Sequence, residues 1–289
     1  MTLNNHVIPF QLGNNTVRGN IVRLQNVVSE IVNRHEYPAN IESLFADTLT
    51  ITASLGSRMK HDGVFTIQAK GNGEVKTLFS DITSDGFLRG YVGLTSSFAN
   101  KEVNLNSLMG SGHVSFTLDQ GKYTKRYQGI VPLEEASISK TTEVYFNNSE
   151  QLETKFLTFN YYDINISSRK KLFSAGLIML QKMPAKNSFE EESDEEVWQN
   201  SLNFLSTIGI EEFLSTSLTS EEILYRLFNE LEITVYDEII IQDQCRCSDE
   251  KIKFAIMNLS KKELNEIADE NGNVNVVCEF CKTERKFPS

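Results

Sequence analysis

IIIQDQCRCSDE (residues 239–250) and VVCEFCKTER (residues 276–285) carry every cysteine of the 289-residue chain. Cys245, Cys247, Cys278 and Cys281 all fall within the last 45 residues. Nothing upstream uses a thiol for packing, so the four have a common purpose at the C-terminus. Four thiolates complete the tetrahedral shell of one Zn²⁺ ion. The Cys278-x-x-Cys281 half has a common zinc-knuckle spacing, and Cys245-x-Cys247 is a tighter chelate with one intervening residue. In a reducing compartment such pairs point to metal or redox chemistry more often than to structural disulfides. A tail this short seldom folds by apolar burial alone. Structural zinc contributes roughly 10–16 kcal/mol to folding. The tail is therefore expected to fold with one zinc ion per chain and to unfold without it. Thiolate oxidation removes the ligands, so the same residues read as both ligand set and sensor. The histidines His6, His35, His61 and His113 lie far from the pairs in sequence and read as ordinary core or surface residues.

Composition narrows the function classes. The chain is 40% hydrophobic and 23% charged, ordinary for a soluble globular protein, and long enough for more than one domain. A net charge of −11 argues against non-specific nucleic-acid binding, which needs a basic footprint. No run of eighteen apolar residues predicts a membrane span. The N-terminal MTLNNHVIPFQLGNN lacks the basic and apolar regions of a secretory signal. A cytoplasmic location is the expectation.

Upstream of the cysteines, periodicity predicts an α+β fold. TVRGNIVRL alternates as a strand, and Leu24, Val27, Val28 and Ile31 follow at helical spacing. A longer helix carries Ile41, Leu44, Phe45, Leu49, Thr52 and Leu55 on one face, with Gly56 breaking or crowding its end. GVFTIQAK, EVKTLFSDI and FLRGYVGL read as strands separated by GNG and TSDG turns. Residues 111–133 form a further hairpin with Gly121 near its turn. A helix and strand are expected over 139–156, and an apolar strand closed by Pro184 follows. GNGEVKT (71–77) looks superficially like a phosphate loop but lacks its spacing and its Gly-Lys-Ser/Thr ending.

Residues 1–183 thus form a mixed α+β core domain. Residues 184–243 read as a metastable, mostly helical linker, and 244–289 as the zinc and redox-switch domain. Six acids lie within residues 190–196, as a solvated linker or a helix start. Thr219 and Glu222 form a capping box, with Leu218 and Ile223 at the staple positions. Ile223, Leu224, Leu227, Phe228 and Leu231 share an apolar face that the linker cannot bury by itself. In the tail, a helix from Ser248 to Leu259 presents Ile252, Ala255, Ile256 and Leu259. A second helix follows the Ser260–Glu263 capping box, with Gly272 as its stop.

The cysteine pattern, together with VRG (17–19), TSDGFLRGY (83–91), RYQGIVPLE (126–134) and SEQLETKF (149–156), resembles the 33 kDa chaperonin family of bacterial redox-regulated heat-shock holdases. The resemblance spans nearly the whole chain. It implies a non-enzymatic chaperone that needs no ATP and is inactive when reduced and zinc-bound. Oxidation would pair Cys245 with Cys247 and Cys278 with Cys281, release zinc, and unfold the tail and linker. The active form would be a homodimer holding unfolding client proteins. Asp243 stands where the family often has an aromatic, and a tyrosine common after the second cysteine pair is replaced near Arg285. Ile223, Leu227 and Leu231, or the sheet surface beneath them, are candidate client-binding surfaces that the sequence alone does not assign. Two rivals remain from the residues themselves. A zinc-ribbon nucleic-acid module would need a basic tail, but residues 245–289 hold eight Lys/Arg against eight Asp/Glu. A thiol–disulfide oxidoreductase would need CEFC at a helix start in a βαβ setting.

Overall fold

The computed structural model describes residues 5–57, 59, 62–96, 98–99, 104–121, 124–165, 170–185 and 191–288. His61 and Glu190, both noted in the sequence, lie outside them. Two compact units are present, residues 1–243 and 244–289.

The first unit begins with β1 (His6–Leu12) and β2 (Val17–Leu24), joined by a turn in which Gly13, Asn14 and Asn15 all adopt positive φ. Glycine and asparagine tolerate that region best. Alternation along β2 sends Val17 and Ile21 to one face and Val22 and Leu24 to the other, and all four are buried. This strand therefore needs an apolar cover on each side. Helix α1 (Asn26–Asn33) starts two residues later than its spacing suggests, because Leu24 is still paired in the sheet. The Asn5 side chain marks the change by accepting from the Gln25 and Val27 amides at 2.9 and 3.2 Å.

Helix α2 (Ala39–Gly56) supplies the inner cover, packed between two sheets. Its predicted stripe of Ile41, Leu44, Phe45 and Leu49 is buried, but so are Ile51 and Ala53 on other sides. Thr48 and Thr52 are tolerated inside because their hydroxyls donate to the Leu44 and Thr48 carbonyls at 2.8 and 2.7 Å. At Gly56, an added Cβ would lie 2.2 Å from the Ile82 side chain, so crowding explains this glycine.

The second sheet contains β3 (Val64–Gly71), β4 (Val75–Thr83) and β5 (Phe87–Leu94), then, after α3 (Leu105–Met109), β6 (Gly112–Asp119) and β7 (Tyr127–Pro132). The GNG segment is the β3–β4 turn, pressed so tightly beneath α3 that a Cβ on Gly71 would meet the Met109 carbonyl at 2.1 Å. It is a packed hairpin turn and not a phosphate loop. Helix α4 (Ile138–Tyr145) widens into a π turn over Phe146–Glu150 and leads into β8 (Thr154–Asn165) and β9 (Lys170–Lys182). These strands complete the first sheet beside β2.

The outer face of that sheet is covered by α5 (Glu191–Leu205), α6 (Ile210–Phe213) and α7 (Ser220–Phe228). The acidic run is a helix start, where negative charge suits the N-terminal dipole. Ile8, Phe10, Ile21, Ile178 and Leu180 of the sheet pack with Trp198, Phe213, Ile223 and Phe228 of the helices. The Phe159 and Phe213 rings stack at 4.2 Å. The predicted Thr219–Glu222 capping box is present, and Leu218 packs at the edge of the cluster. Buried Arg23 holds the preceding loop by donating to the Leu218 and Ser215 carbonyls.

Three short strands end the unit. β10 (Ile233–Val235) and β11 (Ile239–Ile240) pair with different parts of β1, while β12 (Gln242–Asp243) adds a parallel edge to β5. Pro9 sits opposite the break between β10 and β11, where its missing N–H interrupts no ladder bond and its carbonyl accepts from Tyr236 N at 2.9 Å. Asp243 is held in an ion pair by Arg34. No helix among the described residues is long and apolar enough to cross a membrane.

The second unit contains α8 (Asp249–Met257), α9 (Lys261–Ile267) and an antiparallel hairpin of β13 (Asn273–Val277) and β14 (Glu284–Pro288). Helix α8 stops before Leu259, and of its expected face only Ile256 is fully buried, with Ile252 packed beside it. Gly272 does not end α9. That helix stops at Ile267 because Ala268 turns extended, and Gly272, with φ +72°, makes the turn into β13 instead.

One charged group in the first unit gives a test of these contacts. Burial pushes the Asp47 carboxyl from 3.8 up to about 6, against hydrogen bonds from Asn160 and Thr158. Its folded state binds the proton more tightly than its unfolded state, so the associated stability is full below pH 4 and lost as pH rises through 6. Asp47→Asn should match the parent near pH 4 and exceed it by about 3 kcal/mol at pH 8 in urea unfolding. A stability difference that does not change with pH would contradict this reading.

Candidate metal centre

The two cysteine pairs reach one point from different local structures. Cys245 and Cys247 lie on the extended segment just before α8, whose N-cap Ser248 fixes where that segment ends by accepting from Lys251 N at 3.3 Å. Cys278 and Cys281 occupy the turn of the β13–β14 hairpin. Cys278 N donates to the Thr283 carbonyl at 3.1 Å, and Lys282 N to the Cys278 carbonyl at 2.8 Å. Lys282 takes φ +53° to close this turn.

All four Sγ atoms lie within 4.8 Å of one another. Cys245 and Cys278 are 3.8 Å apart, and Cys247 and Cys281 are 3.5 Å apart. A thiolate tetrahedron with metal–sulfur bonds of about 2.3 Å has edges of about 3.8 Å, so the cluster fits one ion. All four cysteines are free thiols and partly accessible. Among the described residues this group contains cysteine only. His6 instead bonds Ser220 Oγ at 2.7 Å, and His35 stacks on Tyr37 at 5.0 Å, both in the first unit. His113 is exposed.

The surroundings divide the thiols electrostatically. Burial, reinforced by the neighbouring thiols, pushes Cys247 up to about 12. Burial also raises Cys278, although the Cys281 and Phe280 amides point at its sulfur. Cys281 falls to about 6 because, against burial, the Thr283 hydroxyl and amide and the other thiols stabilise its thiolate. Hydrogen bonds from amides to sulfur are the setting in which a thiolate ligand is comfortable. Arg285 lies close enough to bond Cys247, and it bonds Asp249 at 2.8 Å. In the sequence, Arg285 stands out only as lying near a departure from the family pattern. Its cationic role became visible only with the hairpin register, which pairs it with Val276.

Apolar burial in this unit is slight. Ile256, Val274 and Phe287 are its buried hydrophobic residues, flanked by Ile252, Leu264 and Val276. Such a core is too small to hold 46 residues without a further crosslink. The left-handed turn residue is the sharpest local test. Lys282→Gly should leave metal affinity in competition with a chelator unchanged or slightly improved. Lys282→Val, a β-branched residue at positive φ, should weaken it by about 1–2 kcal/mol. Equal affinities would show that the turn geometry does not matter.

The family described as Hsp33 protein matches residues 5–288. A 33 kDa chaperonin of Caulobacter vibrioides is 31% identical over 96% of this chain and 93% of its own length. That of Shewanella loihica is 33% identical over 97% and 91%. Among solved structures, the Hsp33 homolog of Thermotoga maritima shares the fold, with a TM-score of 0.80 at 24% identity over 98% of this chain and 95% of that one. The mixed α+β architecture and the C-terminal cysteine cluster agree with that likeness. This chain belongs to the Hsp33 family, whose relatives are named as chaperonins.

Proposed function

We propose that the protein is a redox-regulated, ATP-independent holdase of the cytoplasm, with no enzymatic activity of its own. The observation that carries this reading is the convergence of four cysteines in a unit with almost no apolar core. Cys245, Cys247, Cys278 and Cys281 are the ligands of one Zn²⁺ ion in the reduced chain. Zinc supplies the crosslink that the small core lacks.

Peroxide takes two electrons from each cysteine pair and is itself reduced to water. One S–S bond forms between Cys245 and Cys247 and another between Cys278 and Cys281, following the family resemblance. Sulfur atoms committed to disulfides no longer bind the ion as thiolates, so zinc is lost and residues 244–289 unfold. Asp243, one residue before Gln244, ends the first unit, where Arg34 pairs with it. Residues 184–243 act as a metastable linker whose release bares the outer face of the first sheet. Ile8, Phe10, Ile21, Ile178 and Leu180 there, together with the freed Ile223, Leu227 and Leu231, are the surfaces for unfolding clients and for the active homodimer. The electroneutral tail offers no footprint for nucleic acid.

Light scattering from a heat-unfolding client protein without ATP tests the reading. Suppression should appear only after peroxide at mild heat, with loss of about one zinc per chain. Equal suppression by the reduced chain would remove redox control, and no suppression in either state would refute the holdase. The linker has its own test. Phe213→Ala deletes the ring stacked on Phe159 and should cost about 3–5 kcal/mol of cover. The variant should then suppress aggregation at lower oxidant doses than the parent. An unchanged dose response would separate the cover from activation.

A further inference from the structure

Basic side chains surround the cysteine cluster, and the hairpin aims one of them at it. Arg285 stands on β14 opposite Val276. Alternation along the strand puts Arg285 on the same face as Phe287, which is buried in the small core of the unit. Arg285 therefore turns inward, and its side chain is 21% exposed. Lys286 turns the other way and pairs with Asp269 at 2.9 Å, and Lys282 pairs with Glu279 at 2.8 Å.

The guanidinium is anchored at one edge. Its Nε donates to Asp249 Oδ1 at 2.8 Å, and Asp249 opens α8 just after Cys247 and Ser248. That bond leaves the η nitrogens for other acceptors. Cys247 and Cys281 both lie within hydrogen-bonding reach of the side chain. Nη1 is buried and has no partner among the described residues. A buried N–H of a cation without an acceptor is costly, and a thiolate sulfur beside it relieves that cost. Cys247 and Cys281 belong to different cysteine pairs, so one guanidinium touches both halves of the centre.

We propose that Arg285 is a positioning residue that restrains oxidation of the centre by donating hydrogen bonds to the Cys247 and Cys281 sulfurs. This role rests on the proposed function, in which the cysteines are thiolates. A thiolate lone pair attacks one oxygen of hydrogen peroxide, the O–O bond breaks, and hydroxide leaves a sulfenic acid behind. The second thiolate of the pair attacks that sulfur, the S–S bond forms, and a second hydroxide leaves. Two electrons pass from the pair to the peroxide, and two protons from solvent convert the hydroxides to water. A guanidinium bonded to the sulfur withdraws density from the attacking lone pair and slows the first step. Hydrogen peroxide is uncharged at neutral pH, so the same cation gives it no compensating attraction.

Zinc release from the reduced, zinc-loaded, full-length chain tests this when timed twice, with hydrogen peroxide and with a chelator alone. Arg285→Gln should speed peroxide-driven release about threefold, the response of thiolate attack to roughly tenfold in sulfur basicity. Its chelator-driven release should stay close to the parent's. Arg285→Lys keeps the charge but loses the fork that reaches both sulfurs, and its peroxide rate should fall between the two. The lysine variant decides alone if Arg285→Gln fails to take up zinc. Equal acceleration of both releases would make Arg285 a plain structural tie between β14 and α8 and overturn the proposal. An unchanged or slower peroxide rate would overturn it as well. A parent chain that takes up no zinc, or loses none to peroxide, would refute the metal reading itself and this role with it.

Discussion

A sheet with two apolar faces needs two covers, and the first unit is organised by that requirement. Val17, Ile21, Val22 and Leu24 put buried side chains on both sides of β2. Helix α2 covers the inner side without interruption from the chain around it. The outer side is covered by residues that come much later, from α5 to α7. The inner cover is buried nearly all round, while α5 begins with acids and turns one narrow face inward. Burial stabilises at about 25 cal/mol per Å² of apolar area, so two covers of unequal apolar content hold unequally. Under the proposed function, the outer one is the piece given up while the rest remains folded.

The C-terminal unit faces the opposite difficulty, with too little apolar surface to cover. Its Ser260–Glu263 capping box, Ser248 N-cap and Asp269 turn make its local geometry definite. Asp269 Oδ1 accepts from Asn271 N and Asn273 N at 2.9 Å each. Local order of that kind does not offset the chain entropy of an entire unit. The four sulfurs are where the remaining stabilisation can enter, and they are also its most readily oxidised atoms. Under the proposed function, dependence on the metal and sensitivity to oxidant are one property seen from two sides.

Much of this was legible in sequence because the relevant signals are local. The cysteine spacing located the cluster, and Thr219–Glu222 and Ser260–Glu263 located two helix starts to the residue. Strands with clear alternation, such as FLRGYVGL, were also visible. What escaped depends on partners distant in sequence. In HVIPFQL the run Val7 to Phe10 is apolar without a break because both faces of the strand are covered, so it shows no alternation, and Pro9 is tolerable only because β10 and β11 leave a break opposite it. β10, β11 and β12 are too short to carry a period. Gly272 was read as a helix stop because a turn glycine and a C-cap glycine look alike in sequence.

Under the proposed function, one oxidation event frees both the zinc-bound unit and the outer cover while the inner core persists. Amide hydrogen exchange by mass spectrometry, comparing reduced zinc-loaded protein with protein oxidised at mild heat, tests it most directly. The account predicts lost protection across 244–289 and across the α5–α7 cover, with β3, β4 and β6 as protected as before. Loss confined to 244–289, with the cover still protected, would contradict it.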